Sequence, residues 1–464
     1  MTQVETQIGG AAARPSLSGW SELWRKEDWW AVWLGLAIVI IGLFLFSQGG
    51  SWRWVAVLPP RWTSLAQLSQ HFAGNWLRYV SQFVLWYAAF SAALKAMGRH
   101  AREFLPAFAF VYVLSVLVFI AGQWDVATYY GFEAPLVALL VGLIIANVIG
   151  LPKWLDAAFR VEFYIKTAIV LLGATVPFTL IAWAGPVAIL QASIVSLVTF
   201  GVIYVVATRL GLDRRLAATL GVGGAVCGVS AAIAVAGAVG ARKEHAPIAI
   251  TLVLLWAIAM IFILPFVAHA IGLSPGVGGA WIGTSEFADA AGLAAAQTYA
   301  GLAGNSGAGG GDQAVLAFTL MKVVGRDVWI GIWAFALAIV ATTRWERGVT
   351  GRKASPAEIW WRFPKFVIGF FAASLLLTIA TSSYALDDFN RVVNPSLVAP
   401  IKDLRTWAFI FCFLSIGLTT RFRELAAAGV KPFLAFSSGV IVNVPLGFLL
   451  SAWVFASYWT NLSP

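Results

Sequence analysis

Apolar residues in this chain come in long runs separated by short polar stretches. Runs of about 20 apolar residues are long enough to cross a bilayer as helices. The pattern predicts spans at residues 30–48, 76–97, 105–124, 134–150, 163–183, 187–208, 247–272, 314–342, 366–384, 403–420 and 432–456. The first run lacks a small-residue cleavage site and is too long for a signal-peptide core, so it counts as a span. Trp29, Trp30, Trp33, Trp52, Trp54 and Trp62 flank it, as indoles do in the headgroup layer. Two further segments, 217–240 and 281–311, are built largely of Gly, Ala and Ser and lack a Leu/Ile/Phe coat for lipid. The expected fold is an all-α polytopic membrane protein with about 11 transmembrane helices and two broken or re-entrant segments.

Loop charges order these elements. With the N-terminus inside, Arg25, Lys26, Lys95, Arg99, Arg102, Lys153, Arg160, Arg209, Arg214 and Arg215 all fall on the cytoplasmic side. The loops 125–133, 184–187 and 273–280 carry no base and read as outside. Arg242 and Lys243 stay inside only if 217–240 dips in and returns; a full crossing puts them outside. A second dip at 281–311 then delivers Arg344, Arg347, Arg352, Lys353 and Arg362 inside, with Arg421, Arg423 and Lys431. Hairpins satisfy the charge rule throughout. Helices unwound at mid-membrane are the rival, and both place irregular backbone where only a protein-lined setting tolerates it.

Composition agrees. The chain has 464 residues, of which 60% are hydrophobic and 11% charged; soluble domains hold roughly 45–50% and 25%. Lys plus Arg is 31 against 21 Asp plus Glu, a balance of +10. On a soluble chain this excess would suggest nucleic acid, but here the bases flank membrane spans, and a lipid bilayer is the expected partner. Cys227 and Cys412 both lie inside apolar segments and carry no redox signal. His71, His100, His245 and His269 show no metal-ligand spacing, and no phosphate-binding GxxxxGK[ST] occurs, which argues against a pump with its own ATPase. No cofactor, metal or enzymatic grouping is expected.

Residues 173–185 and 417–429 share six identities in thirteen ungapped positions, including Gly173/Gly417 and Thr175/Thr419. An odd number of crossings separates them, so the expected duplication is inverted, as in many secondary transporters with broken helices. The two interrupted segments, however, sit side by side in the chain rather than at matching places in its halves.

Three stretches carry candidate chemistry. In GVGGAVCGVS (221–230), glycine density breaks the helix and frees backbone groups. A helix restarting near Cys227 would aim its positive end at a ligand, and Gly223, Gly224, Cys227, Gly228 and Ser230 become candidates for holding an anion. Close helix packing through small residues is the plainer alternative. In GTSEFAD (283–289), Gly283, Thr284 and Ser285 offer donors at an expected helix start. Glu286 and Asp289 share one helical face; carboxylates at membrane depth are costly and usually functional, so they are candidates for a coupling H⁺ or Na⁺, unless Glu286 is merely wet at the outer surface. The third stretch holds Lys322 and Arg326, four apart in an apolar run, either neutralising an anion or snorkelling to the interface. Asp327 is adjacent to Arg326. Lys166, Thr175, Thr419 and Thr420 are lesser candidates, and residues 305–312 read as a flexible outer loop.

Residues 105–456 resemble the YeiH-like family of proposed sulfate exporters, in the wider cation/proton antiporter and anion transporter group. The matching pieces are VCGVSAAIA (226–234), ARKEHAPIAI (241–250), GAWIGTS (279–285), FPKFVIGF (363–370) and IGLTTRFRELAAAGVKP (416–432). There are departures: Gly224 and Ala225 stand where the family has Thr-Ser, Glu286-Phe287-Ala288 where it has Ile-His-Glu, and the spacing of Lys322 and Arg326 differs from that of the family's basic pair. The resemblance implies an alternating-access transporter of a small anion (sulfate-like, or an organic sulfonate or carboxylate) in the bacterial inner membrane, as a homodimer. The expected divisions are 1–104 as an added two-span extension, 105–272 and 273–464 as transporter halves. A cation–proton antiporter using Glu286 and Asp289 is the rival within the class, and a membrane sensor the distant one.

Overall fold

The computed structural model of the protein describes residues 22–98, 103–129, 132, 134–242, 244–305, 311–345, 364–385, 388–425 and 429–462. Arg99, His100, Arg102, Lys243, Arg347, Arg352, Lys353, Arg362 and most of the 305–312 loop lie outside the described residues.

The chain forms α1 (Glu27–Ser47), α2 (Leu65–Ala96), α3 (Phe104–Gly122), α4 (Ala134–Ile144), α5 (Val161–Gly173), α6 (Phe178–Arg209), α7 (Arg214–Ala225) and α8 (Val229–Ala238). There follow α9 (His245–Ala270), α10 (Pro275–Ser285), α11 (Asp289–Asn305), α12 (Gly311–Thr319), α13 (Trp329–Val340), α14 (Lys365–Thr381), α15 (Ala399–Thr419) and α16 (Val430–Leu449). Among the described residues six helical runs are long and apolar enough to cross a membrane: Glu27–Ser47, Phe104–Gly122, Phe178–Arg209, His245–Ala270, Gly311–Trp345 and Val430–Val454. The apolar helices Ala134–Ile149, Val229–Ala238 and Lys365–Thr381 are shorter. The fold is all-α and polytopic.

Two expected boundaries move. The turn expected at 184–187 lies within α6, which carries Pro186 in its interior. The interruption comes earlier, between Gly173 and Phe178, where Pro177 has no amide proton and biases Val176 away from helix. Proline inside a membrane helix is tolerated where neighbours satisfy the freed backbone, so Gly185-Pro186 did not need to be a turn. The second move is at 273–280, expected as a loop. Pro275 instead occupies the first turn of α10, where its missing N–H costs nothing.

Packing divides the chain into two units along other lines than its halves. One holds the described residues of 183–364 and 422–464; the other holds the described residues of 17–182 and 365–421.

The second unit has an aromatic core. Trp407 stacks on Tyr112 with centroids 4.8 Å apart and meets Phe119 at 4.7 Å, while Phe411 packs edge-on to Phe108 at 5.3 Å. Buried rings of this kind dominate core energetics. Around it the suspected repeat becomes visible. Gly173 of α5 lies against the Phe370 carbonyl of α14, and Gly417 of α15 lies against Gly142 of α4. Ser374 of α14 donates to Val176 O after α5, and Asn147 after α4 donates to Thr420 O after α15. Val176 and Thr420 are matched positions of the two segments. Each interruption is thus closed by a side chain from the opposite copy's first helix, although residues 426–428 of the second segment lie outside the described ones. If α4–α5–α6 corresponds to α14–α15–α16, the glycine-rich segments follow the first triplet and precede the second. That explains why they are neighbours in the chain.

The first unit is built on small residues. An added Cβ at Gly279 of α10 would fall on the Ala314 carbonyl of α12, and one at Gly224 of α7 on the Ile203 side chain of α6. Such close backbone approach is what small residues permit in membranes. The unit contains both glycine-rich segments, and both fold back. Arg215, at the start of α7, donates to Gly240 O beyond the end of α8 at 2.6 Å; an unbroken helix would hold those residues about 37 Å apart. Tyr299 of α11 donates to Leu273 O, before α10, at 2.5 Å. Both segments fold as helical hairpins, the arrangement favoured by the loop charges.

Candidate functional site: two hairpin tips closed by buried cations

The tip of the first hairpin is residues 226–228 and that of the second 286–288. Gly228 has φ +80°, and a Cβ there would fall on the Phe287 carbonyl. Only glycine meets both demands, and the contact shows that the tips touch. Each tip presents the C-terminal carbonyls of its first limb and the N-terminal amides of its second, with the partial charges of both helix ends.

The cations arrive from the segment after α12. There the backbone widens into a π-type turn over Leu320–Arg326, with Asp327 N donating five residues back to Lys322 O at 3.0 Å. Turns of this type recur at functional sites. Lys322 and Arg326 are fully buried. Lys322 Nζ donates to Val226 O at 3.1 Å and Glu286 O at 2.7 Å. Arg326 Nη1 donates to Thr284 O at 2.7 Å, Glu286 O at 3.1 Å and Gly283 O at 3.4 Å, and Nη2 to Gly224 O at 3.1 Å. Together they bind five carbonyls drawn from both tips. Positive charge at the negative ends of α7 and α10 satisfies last-turn carbonyls that a helix leaves without an internal partner.

Three carboxylates share this centre. Asp289, first residue of α11, has Oδ1 3.8 Å from Lys322 Nζ. Ligand atoms of Cys227, Asp289 and Asp327 converge within 4.8 Å of one another. Glu286 is fully buried and its Oε1 accepts from Ala288 N at 3.3 Å. A thiol and two carboxylates could ligate a cation, but two fixed positive charges beside them suit a proton or a monovalent ion better than a divalent metal.

Of the expected residues, Gly224, Cys227 and Gly228 of the first hairpin meet Gly283, Thr284, Glu286 and Asp289 of the second here, with Lys322 and Arg326 closing the junction. Some act differently than expected. Thr284 and Ser285 end α10 rather than starting a helix, and the restart is at Asp289. Their hydroxyls lie against Gly447 of α16, and Thr284 Oγ1 donates to Trp281 O at 2.8 Å. Gly283 and Thr284 contribute carbonyls to Arg326. Ser230, in the first turn of α8, is half-buried. Thr175 and Thr419 belong to the other unit, where Thr175 Oγ1 accepts from Arg405 Nη1 at 2.8 Å and Thr419 Oγ1 donates to Ser415 O at 2.7 Å. Asp327, adjacent to Arg326 in the sequence, also belongs to this centre. Its signal, a carboxylate in an apolar run, was the same one that marked Glu286.

A family model described as conserved hypothetical protein 698 matches residues 106–436. A UPF0324 membrane protein of Rhodopirellula baltica is 35% identical over 405 residues, covering 86% of this chain and 71% of the relative. One of Nitrosomonas europaea is 30% identical over 484 residues, covering 94% and 96%. One of Nitratidesulfovibrio vulgaris is 34% identical over 362 residues, covering 77% of this chain but only 60% of the relative's length. No solved structure matches the chain. The family match contains both hairpin tips and both buried cations.

Proposed function

The chain belongs to the family of conserved hypothetical protein 698, multi-pass membrane proteins, and from that footing we propose that it is a secondary transporter of a small anion, working by alternating access in the bacterial inner membrane with its N-terminus cytoplasmic. The cargo is sulfate-like or an organic sulfonate or carboxylate. The observation that carries this reading is the burial of Lys322 and Arg326 where the two hairpin tips meet, bound among the described residues through backbone carbonyls and nearby acids. Carbonyl oxygens are neutral acceptors, and an anion's oxygens can replace them with stronger, charge-assisted bonds. The first amides of α8, with the Ser230 hydroxyl, supply the positive helix end that an anion needs. Opening a tip to one side would exchange carbonyl for cargo, and closing it would restore the arrangement described here. Glu286 or Asp289 carries the coupling H⁺ or Na⁺.

A second reading, cation–proton exchange, draws on the convergence of Asp289, Asp327 and Cys227. Reconstituted protein separates the two. Anion transport predicts counterflow of labelled sulfate, a sulfonate or a dicarboxylate into loaded proteoliposomes. Na⁺/H⁺ exchange without added anion, and no counterflow with any of the three, would favour the second reading.

A further inference from the structure

Glu286 and Asp289 are three residues apart but are held differently. Asp289 lies 3.8 Å from Lys322 Nζ and its side chain is 16% exposed. Glu286 is fully buried, and neither cation bonds to its carboxylate; both take its backbone carbonyl instead. Oε1 accepts from Ala288 N, whereas Oε2 has no hydrogen-bond partner among the described residues. The stem of the side chain lies over Gly292, where the Phe318 ring also rests. These contacts of the stem are with carbon, whereas hard cations such as sodium are held by several oxygens.

The charges of the centre point the same way. Facing one another are Lys322 and Arg326, Asp289, Asp327 and Glu286, with the Cys227 thiol. With every acid ionised, three negative charges oppose two positive ones in a dry setting, and an unbalanced buried charge is costly. One proton on one acid brings the centre to neutrality. Lys322 and Arg326 both feel Asp289 and Asp327 more strongly than Glu286, so Glu286 is the acid where that proton removes the largest penalty.

We infer that Glu286 takes up and releases the coupling proton at Oε2, and that Asp289 and Asp327 are the fixed counter-charges of Lys322 and Arg326. This rests on the transporter reading above and deepens it: the coupling ion is H⁺, and its carrier is the capping residue of the second hairpin tip. An O–H bond forms at Oε2 when the closed tip is neutral. It breaks when the tip opens to water, which solvates the released proton and the carboxylate left behind.

The test has one readout that needs no transport. In infrared spectra of the full chain in lipid, the protonated-carboxyl band should be lost in Glu286→Gln and kept in Asp289→Asn, Asp327→Asn and the conservative Glu286→Asp. In proteoliposomes, Glu286→Gln should lose accumulation driven by a pH gradient. A band that survives in Glu286→Gln, or that disappears in Asp289→Asn while Glu286→Gln retains it, overturns the assignment, as does gradient-driven accumulation by Glu286→Gln. A band lost only in Glu286→Gln, with no counterflow by the wild type, would uphold the proton site and remove the transporter reading.

Discussion

The two units each interrupt their helices, and they finish the interruptions with different chemistry. After α5 and α15 the exposed backbone is met by neutral side chains, Ser374, Thr378 and Asn147. At the hairpin tips the same kind of group is met by Lys322 and Arg326. A neutral cap is self-sufficient. A buried cation needs counter-charge nearby, which Asp289, Asp327 and Glu286 are placed to supply, and its carbonyl bonds can yield to a better acceptor. Irregular backbone at membrane depth is therefore not in itself a sign of function; what satisfies it discriminates.

The contrast predicts graded effects. Arg326→Met strands carbonyls of both tips and leaves the acids under-compensated, for a loss of about 3–5 kcal/mol. Asn147→Ala, at a neutral cap, should cost about 1 kcal/mol. Thermal unfolding of the purified protein reads both, and equal losses would erase the distinction. Trp407→Ala, in the aromatic core, should also cost roughly 3–5 kcal/mol but leave the ion dependence of transport unchanged in the protein that remains folded. Gly228→Ala imposes a side chain at φ +80° against the Phe287 carbonyl; a loss of roughly 2 kcal/mol is expected, with transport falling more than stability because the tips are pushed apart. The smallest effect belongs to the ion pairs of Lys166 with Asp28 at 2.7 Å and Glu162 at 3.1 Å, which are partly exposed. Lys166→Met should cost no more than about 1 kcal/mol, and the loss should shrink in high salt.

Much of this was legible in the residues. Long apolar runs give helices because lipid leaves the backbone no other partner. The 217–240 hairpin could be read from Arg242 and Lys243, since their loop must stay on the basic side. Glycine density marked the break at 226–228. Other features depended on tertiary contacts. Gly185-Pro186 resembles a turn, yet the chain breaks at 174–177, because Ser374 and Thr378 are there to receive it. Thr284 and Ser285 look like helix-starting residues, but the limb that packs along α12 begins at Pro275, so they end it. That Lys322 and Arg326 face carbonyls rather than open space could not be read from the chain, because backbone groups from distant segments carry no residue-specific mark.

Hydrogen exchange followed by mass spectrometry puts the two kinds of interruption side by side in one sample. With a saturating sulfate-like, sulfonate or carboxylate ligand found by counterflow, peptides covering 222–232 and 282–292 should gain protection, while those covering 172–178 and 416–421 should exchange as before. Protection confined to the neutral-capped breaks, or absent from both hairpin tips, would contradict the assignment of the cation-closed tips as the binding centre.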